Sequence, residues 1–173
     1  GLLIGGSTGN VIYLLGKAAA ALTSAGIGVG VAVKYGESPL VTVSAAVAAM
    51  VGGYAGKITG GTFFVDGNAV LAGPGEPLGA FIAAFAGITC GHLVSGKTKV
   101  DIIVTPVITI GAGSVVGLLV GPPISQMMTG LGSIINWATE QRPFIMGIVV
   151  SVVMGMVLTL PISSAALGII LNL

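Results

Sequence analysis

From residue 102 to residue 139 the chain carries no Asp, Glu, Lys or Arg, and shorter uncharged runs fill residues 18–33, 38–56 and 78–95. The shorter runs approach the roughly 20 apolar residues that a helix needs to cross the hydrocarbon core of a bilayer. Such a chain cannot clothe itself for water. Only 6% of its residues are charged and 54% are hydrophobic, with mean hydropathy +1.11, whereas a soluble domain carries about 25% charged residues. With Gly supplying 30 of the 173 residues, small and apolar side chains must cover the exterior, and hydrocarbon is the solvent that permits this. The expected fold class is therefore an all-α integral membrane protein. It is a polytopic helix bundle with broken or re-entrant helices, forming a single membrane domain over residues 1–173.

Charge also removes partners. A formal net charge of +1, with six basic residues scattered along the chain, leaves no electrostatic footprint for nucleic acid. Cys90 stands alone in an apolar run and permits no intramolecular disulfide. One His and no cysteine cluster give no metal site, and no cofactor is implied. The chain begins at Gly1 and ends in an apolar run at Leu173, as a piece of a longer protein does.

Residues 1–15 are too short for a full crossing and read as the remnant of a first helix, with a turn near residues 5–10. Lys17 and Lys34 bracket a first full span and can snorkel to opposite interfaces. Residues 38–56 make a second, opened by Pro39 in the first turn and closed at Gly56-Lys57. Residues 60–77 form a loop, punctuated by Gly60-Gly61, Asp66-Gly67, Gly73-Pro74-Gly75 and Pro77, with Phe63 and Phe64 dipping toward the interface. Residues 78–95 are a third span.

The long uncharged run after Asp101 is broken by Pro106 and by Pro122-Pro123. It predicts a kinked fourth helix over residues 101–121, with Gly113, Gly117 and Gly121 on one face as a small-residue packing seam. A separate short amphipathic helix, interfacial or re-entrant, comes after Pro123, with Trp137 at headgroup level. Residues 143–160 are a fifth span, and the broken segment from Leu160 through Pro161 to Ser163 and Ser164 suits a cavity lining. With four plain crossings, Lys34, Lys97 and Lys99 fall on one side and Lys17, Lys57 and Arg142 on the other, so charge bias sets no orientation.

Gly91, Gly96, Lys97 and Thr98 satisfy G-x-x-x-x-G-K-T, but the motif requires a strand before it and a helix after it. Here an apolar run of span length precedes it, and Pro106 would interrupt the required helix. Lys97, Lys99 and Asp101 are instead expected as interfacial anchors, with Asp101 either pairing Lys97 or capping the fourth helix.

His92 lies about one turn from the end of the third span. An ionisable group there either packs near the interface or faces a ligand. Glu76, within Gly73-Pro74-Gly75-Glu76-Pro77, would accept hydrogen bonds from sugar hydroxyls if its loop folds back into the bundle, and would otherwise be solvated. Asn136, Ser163 and Ser164 sit beside helix breaks and suit either a polyol or helix–helix contacts. No catalytic nucleophile is indicated. The substrate-binding candidates are Glu76, His92, Asn136, Ser163 and Ser164.

Three segments carry a family resemblance: Lys-Thr-Lys-Val-Asp-Ile-Ile-Val-Thr-Pro at 97–106, Trp-Ala-Thr-Glu at 137–140 and Leu-Pro-Ile-Ser-Ser-Ala-Ala at 160–166. From about Leu14 onward the chain resembles the membrane IIC components of the bacterial sugar phosphotransferase system, in particular the toxin-regulator branch of the perfringolysin O regulator type. The resemblance implies the N-terminal half of a longer permease, multi-pass in the bacterial plasma membrane, with re-entrant hairpins and a homodimeric assembly. It implies a carbohydrate substrate reached by alternating access, and a soluble IIB-type partner that performs the phosphorylation. In related branches a Gly-x-x-Glu-Pro motif offers its carboxylate to the sugar. Residues 73–77 share that outline, although the motif there falls in the second half of the permease. The regulator branch leaves a membrane-embedded ligand sensor without transport as the alternative.

Overall fold

The computed structural model describes residues 7–65, 68–69 and 73–139, and positions 144, 147–148, 150–152 and 155–156 beyond them. Five helices dominate: α1 (Ser7–Ala21), α2 (Thr23–Lys34), α3 (Pro39–Thr59), α4 (Pro77–Val94) and α5 (Asp101–Thr139). Between α3 and α4, β1 (Phe64–Val65) and β2 (Asn68–Ala69) pair antiparallel, with Phe64 opposite Ala69. Helices α3, α4 and α5 are each long and apolar enough to cross a membrane, and the bent pair α1–α2 makes up to a fourth span. The chain is thus an all-α polytopic membrane bundle.

Local chemistry explains the boundaries. Ser38 caps α3, its hydroxyl accepting the Val41 N–H at 3.4 Å, and Pro39 occupies the first turn, where its missing N–H costs nothing. Gly60 ends the helix. The 21 residues of α3 span about 31 Å at 1.5 Å per residue, close to the bilayer's hydrocarbon thickness of about 30 Å.

Helices α2, α3 and α4 meet through very small side chains. Ala32, Ala45, Ala49, Ala80 and Ala84 are wholly buried together with Val41, so backbones rather than long side chains set the spacing. Helix α5 completes the bundle with a buried stripe of Thr105, Thr109, Gly113, Gly117 and Gly121. A Cβ on Gly113 would stand 2.6 Å from the Ala48 Cβ and 2.7 Å from the Ala83 carbonyl, and one on Gly117 would stand 2.8 Å from the Gly52 Cα. The expected small-residue seam is therefore the α3–α4–α5 interface, where van der Waals contact between close backbones replaces the hydrophobic effect that lipid cannot supply.

Two expectations are corrected. Helix α5 does not stop at Gly121 with a separate amphipathic helix beyond it, because Pro106, Pro122 and Pro123 all lie inside one helix of 39 residues. Each proline removes one main-chain donor. In apolar surroundings the remaining backbone bonds are too costly to abandon, so the helix continues past the defect. The first break also lies elsewhere. Helix α1 runs through Lys17 and ends at Ala21, and the chain bends by 44° before α2. Residues 18–21 are all alanine, the best helix former, so the helix runs on past Lys17, the residue expected to open the first full span, and residues 7–10, expected at a turn, already belong to it. The expected fifth span lies largely outside the described residues, and its described positions are helical.

Candidate functional site

Gly73 to Glu76 return into the bundle as a loop fastened by its own main chain. The Ser24 hydroxyl of α2 donates to the Pro74 carbonyl at 2.7 Å, and the Tyr54 hydroxyl of α3 donates to the Gly73 carbonyl at 2.5 Å. The Glu76 N–H donates to the Gly53 carbonyl at 2.6 Å. Gly73 and Gly75 have φ of 77° and 72°, a region that glycine enters freely. Space is as restrictive as conformation at Gly75, where a Cβ would lie 2.7 Å from the Ser24 Oγ and 2.9 Å from the Gly53 carbonyl oxygen.

This loop delivers Glu76 to the start of α4. Its backbone is extended there and its side chain makes no capping bond to the helix. Ser125 of α5 and the charge of Lys57 on α3 instead act on the carboxyl, both favouring its ionised form. Its Oε2 is buried and has no hydrogen-bond partner among the described residues. Burial holds the Glu76 pKa above its ordinary value of 4.5, against the opposing pull of Lys57 and Ser125. The Lys57 ammonium also lies 5.5 Å from the centre of the Tyr54 ring, so one cation addresses both the acid and the residue that anchors its loop.

Beside Ser125 is a cavity of about 280 Å³ lined by Gly56, Thr59, Gly60, Pro122, Ser125 and Gln126. The glycines leave room that side chains would fill: a Cβ on Gly56 would meet the Ser125 side chain at 2.8 Å. The junction thus combines a half-buried carboxyl, two hydroxyls, an amide and a nearby ammonium. These groups donate and accept hydrogen bonds in close quarters, which is the chemistry for holding a neutral, hydroxyl-rich ligand. Among the described residues no group of three or more His, Cys, Asp or Glu side chains is placed to hold a metal ion.

The other expected site residues do not converge on Glu76. His92 is at the opposite end of α4, about 24 Å away along the helix axis. Its Nδ1 lies 3.0 and 3.2 Å from the two carboxylate oxygens of Glu37, and its side chain is 70% exposed. Asn136 lies in the last turns of α5, and Ser163 and Ser164 lie outside the described residues.

The P-loop letters have no cradle, because Gly91 is inside α4 and Lys97 and Thr98 come after it in a short turn. Asp101 opens α5, its Oδ1 accepting the Gly96 N–H at 3.0 Å and the Thr105 hydroxyl at 2.6 Å. It therefore ties the turn to the helix, and no ion pair with Lys97 occurs among the described residues.

Sequence reasoning missed Ser24, Tyr54 and Ser125 as parts of this junction and treated Lys57 only as the end of a span. The available signal was a hydroxyl at Ser24 within an apolar segment, since a polar group at membrane depth needs a partner. A family model described as phosphotransferase system, EIIC, matches residues 2–173. No curated protein and no solved structure matches the chain.

Proposed function

The chain belongs to the phosphotransferase system EIIC family, and from that premise we propose that it moves a carbohydrate across the bacterial plasma membrane by way of the Glu76 junction. As an EIIC protein it is a membrane component of that system, a transporter subunit embedded in the bilayer. The carbohydrate, its route and its handover to a soluble IIB-type partner for phosphorylation are our reading.

One observation carries it: the half-buried Glu76, where α3, α4 and α5 meet, keeps a buried Oε2 without a partner among the described residues, and Ser125, which interacts with its carboxyl, lines a polar cavity of about 280 Å³. Sugar hydroxyls are hydrogen-bond donors and would complete that oxygen, while Ser125, Thr59 and Gln126 supply mixed donors and acceptors for the other hydroxyls. Proline cannot donate, so Pro122 and Pro123 leave the carbonyls of Leu118 and Leu119 without their helical partners. Bending α5 at this point would move Ser125 relative to Glu76, which is the kind of displacement that alternating access requires.

Uptake of labelled sugars by the full-length protein in vesicles, with the soluble phosphotransfer partners present, tests the reading. At least one sugar should accumulate, and Glu76→Ala should lower its uptake by about 100-fold through loss of a charge-assisted contact. Ligand-dependent thermal stabilisation without uptake of any sugar would overturn transport and leave the sensor in its place.

A further inference from the structure

The far end of α4 holds a second cavity, also about 280 Å³, whose walls include Tyr35, Phe85, Ile88 and Leu93 and whose polar lining residues include Glu37, Thr89 and His92. Its position is defined by the chain: Lys34 is the last residue of α2 and Val94 the last of α4. Apolar spans end here, so the cavity opens at the level where hydrocarbon gives way to headgroups.

The lining has an unusual distribution of charge. The side chain of Glu37 is only 8% exposed although the residue comes just after α2 at the edge of the bundle. An ionised carboxylate offers about four lone-pair sites, and the single Nδ1 of His92 supplies at most one hydrogen to them. Acceptor capacity therefore remains inside a mainly apolar pocket. The rings of Tyr35 and Phe85 are 6.0 Å apart, and Phe81 stacks on Phe85 at 6.3 Å. Aromatic faces beside a buried acid form a seat for an ammonium group.

Cations lie outside the pocket. Lys34 precedes Tyr35 in the chain, and Lys97 and Lys99 occupy the exposed turn that begins at Ser95, whose hydroxyl meets that of Ser38 at 3.0 Å. Acid within and lysines around it match a headgroup with an inner ammonium and an outer phosphate. Phe81, Phe85 and Leu93 expose an apolar ridge along α4 on which acyl chains can lie.

We infer that this cavity binds a phospholipid with an ammonium headgroup, such as phosphatidylethanolamine. The ammonium sits against Glu37 and the Tyr35–Phe85 rings, the phosphate faces the lysines, and the chains run along the ridge of α4. A purely anionic headgroup would bring its charge toward Glu37 and is disfavoured.

Native mass spectrometry of the full-length chain in detergent, titrated with dioleoyl phosphatidylethanolamine or dioleoyl phosphatidylglycerol, tests this. The amine lipid should bind about tenfold more tightly, and Glu37→Gln should erase that preference without weakening the phosphatidylglycerol adduct. Thr89→Trp, which fills the cavity while leaving Glu37 in place, should abolish the preference as well and serves if the first variant fails to fold. Equal affinity of the wild type for both lipids would overturn the inference, as would a preference that survives either substitution. Free ethanolamine displacing the lipid equally well at matched concentration would overturn the assignment to a lipid.

Discussion

The two ends of α4 each hold an acid close to a cavity, but they are built from different atoms. At the Glu76 end the fastening is main chain: the Gly73 and Pro74 carbonyls and the Glu76 N–H carry the loop's bonds to α2 and α3. The carboxyl is left over for other work. At the Glu37 end the fastening is side chain to side chain, through His92 to Glu37 and Ser38 to Ser95. There the functional groups are themselves the connectors, and one partner is largely exposed. A junction held by its backbone can present a reactive side chain in a fixed place. One held by exposed side chains is open to solvent, salt and lipid.

The sharpest way to break this comparison uses two glycines with nearly the same backbone. Gly75 and Gly96 have φ of 72° and 75°, but a Cβ on Gly75 would strike the Ser24 hydroxyl and the Gly53 carbonyl, while one on Gly96 would meet nothing within 4 Å. Gly75→Ala should cost about 2–5 kcal/mol, combining left-handed strain with overpacking. Gly96→Ala should cost about 1 kcal/mol, from conformation alone. Thermal unfolding in detergent measures both, and equal losses would mean that the Glu76 loop is not tightly held.

Acid and base titration sharpen the contrast from the chemical side. Because burial raises the Glu76 pKa above 4.5, the folded state favours the neutral acid and the unfolded state ionises first. Stability should therefore fall as pH rises through the window between the ordinary value and the raised one, and should be flat on either side. Glu76→Gln should flatten that window, and an unchanged pH profile in the variant would show that the carboxyl is not desolvated.

The smallest expected effect is at the other end. His92→Ala removes an exposed partner and should change stability by less than about 1 kcal/mol. A larger loss in the same melting experiment would place His92 among the groups that hold the bundle together.

Much of the bundle was legible because it depends on local pattern. Pro39 in the first turn of α3 and the Gly113–Gly117–Gly121 seam can be read from spacing alone. Pro122-Pro123 misled for a physical reason: in water a double proline ends a helix cheaply, whereas in an apolar environment the chain has no other partners for its freed groups. The junction could be named only in part. Glu76 stood out by its motif, but whether its loop entered the bundle depended on Ser24, 50 positions away from Pro74, and on Tyr54, 19 positions from Gly73. Such distant pairings leave no periodic trace. His92 was visible as a rare ionisable group, and its pairing with Glu37 across 55 positions was not.

The way the loop is fastened has a consequence for how such proteins diversify. Its bonds use carbonyls that every residue possesses and an N–H that every residue but proline possesses. The conformation is set by the glycines at 73 and 75. Position 76 can therefore exchange one side chain for another, acid for amide or longer for shorter, while the loop keeps its anchorage. A lineage can retune what the junction accepts in a single step, without first repairing the scaffold that presents it.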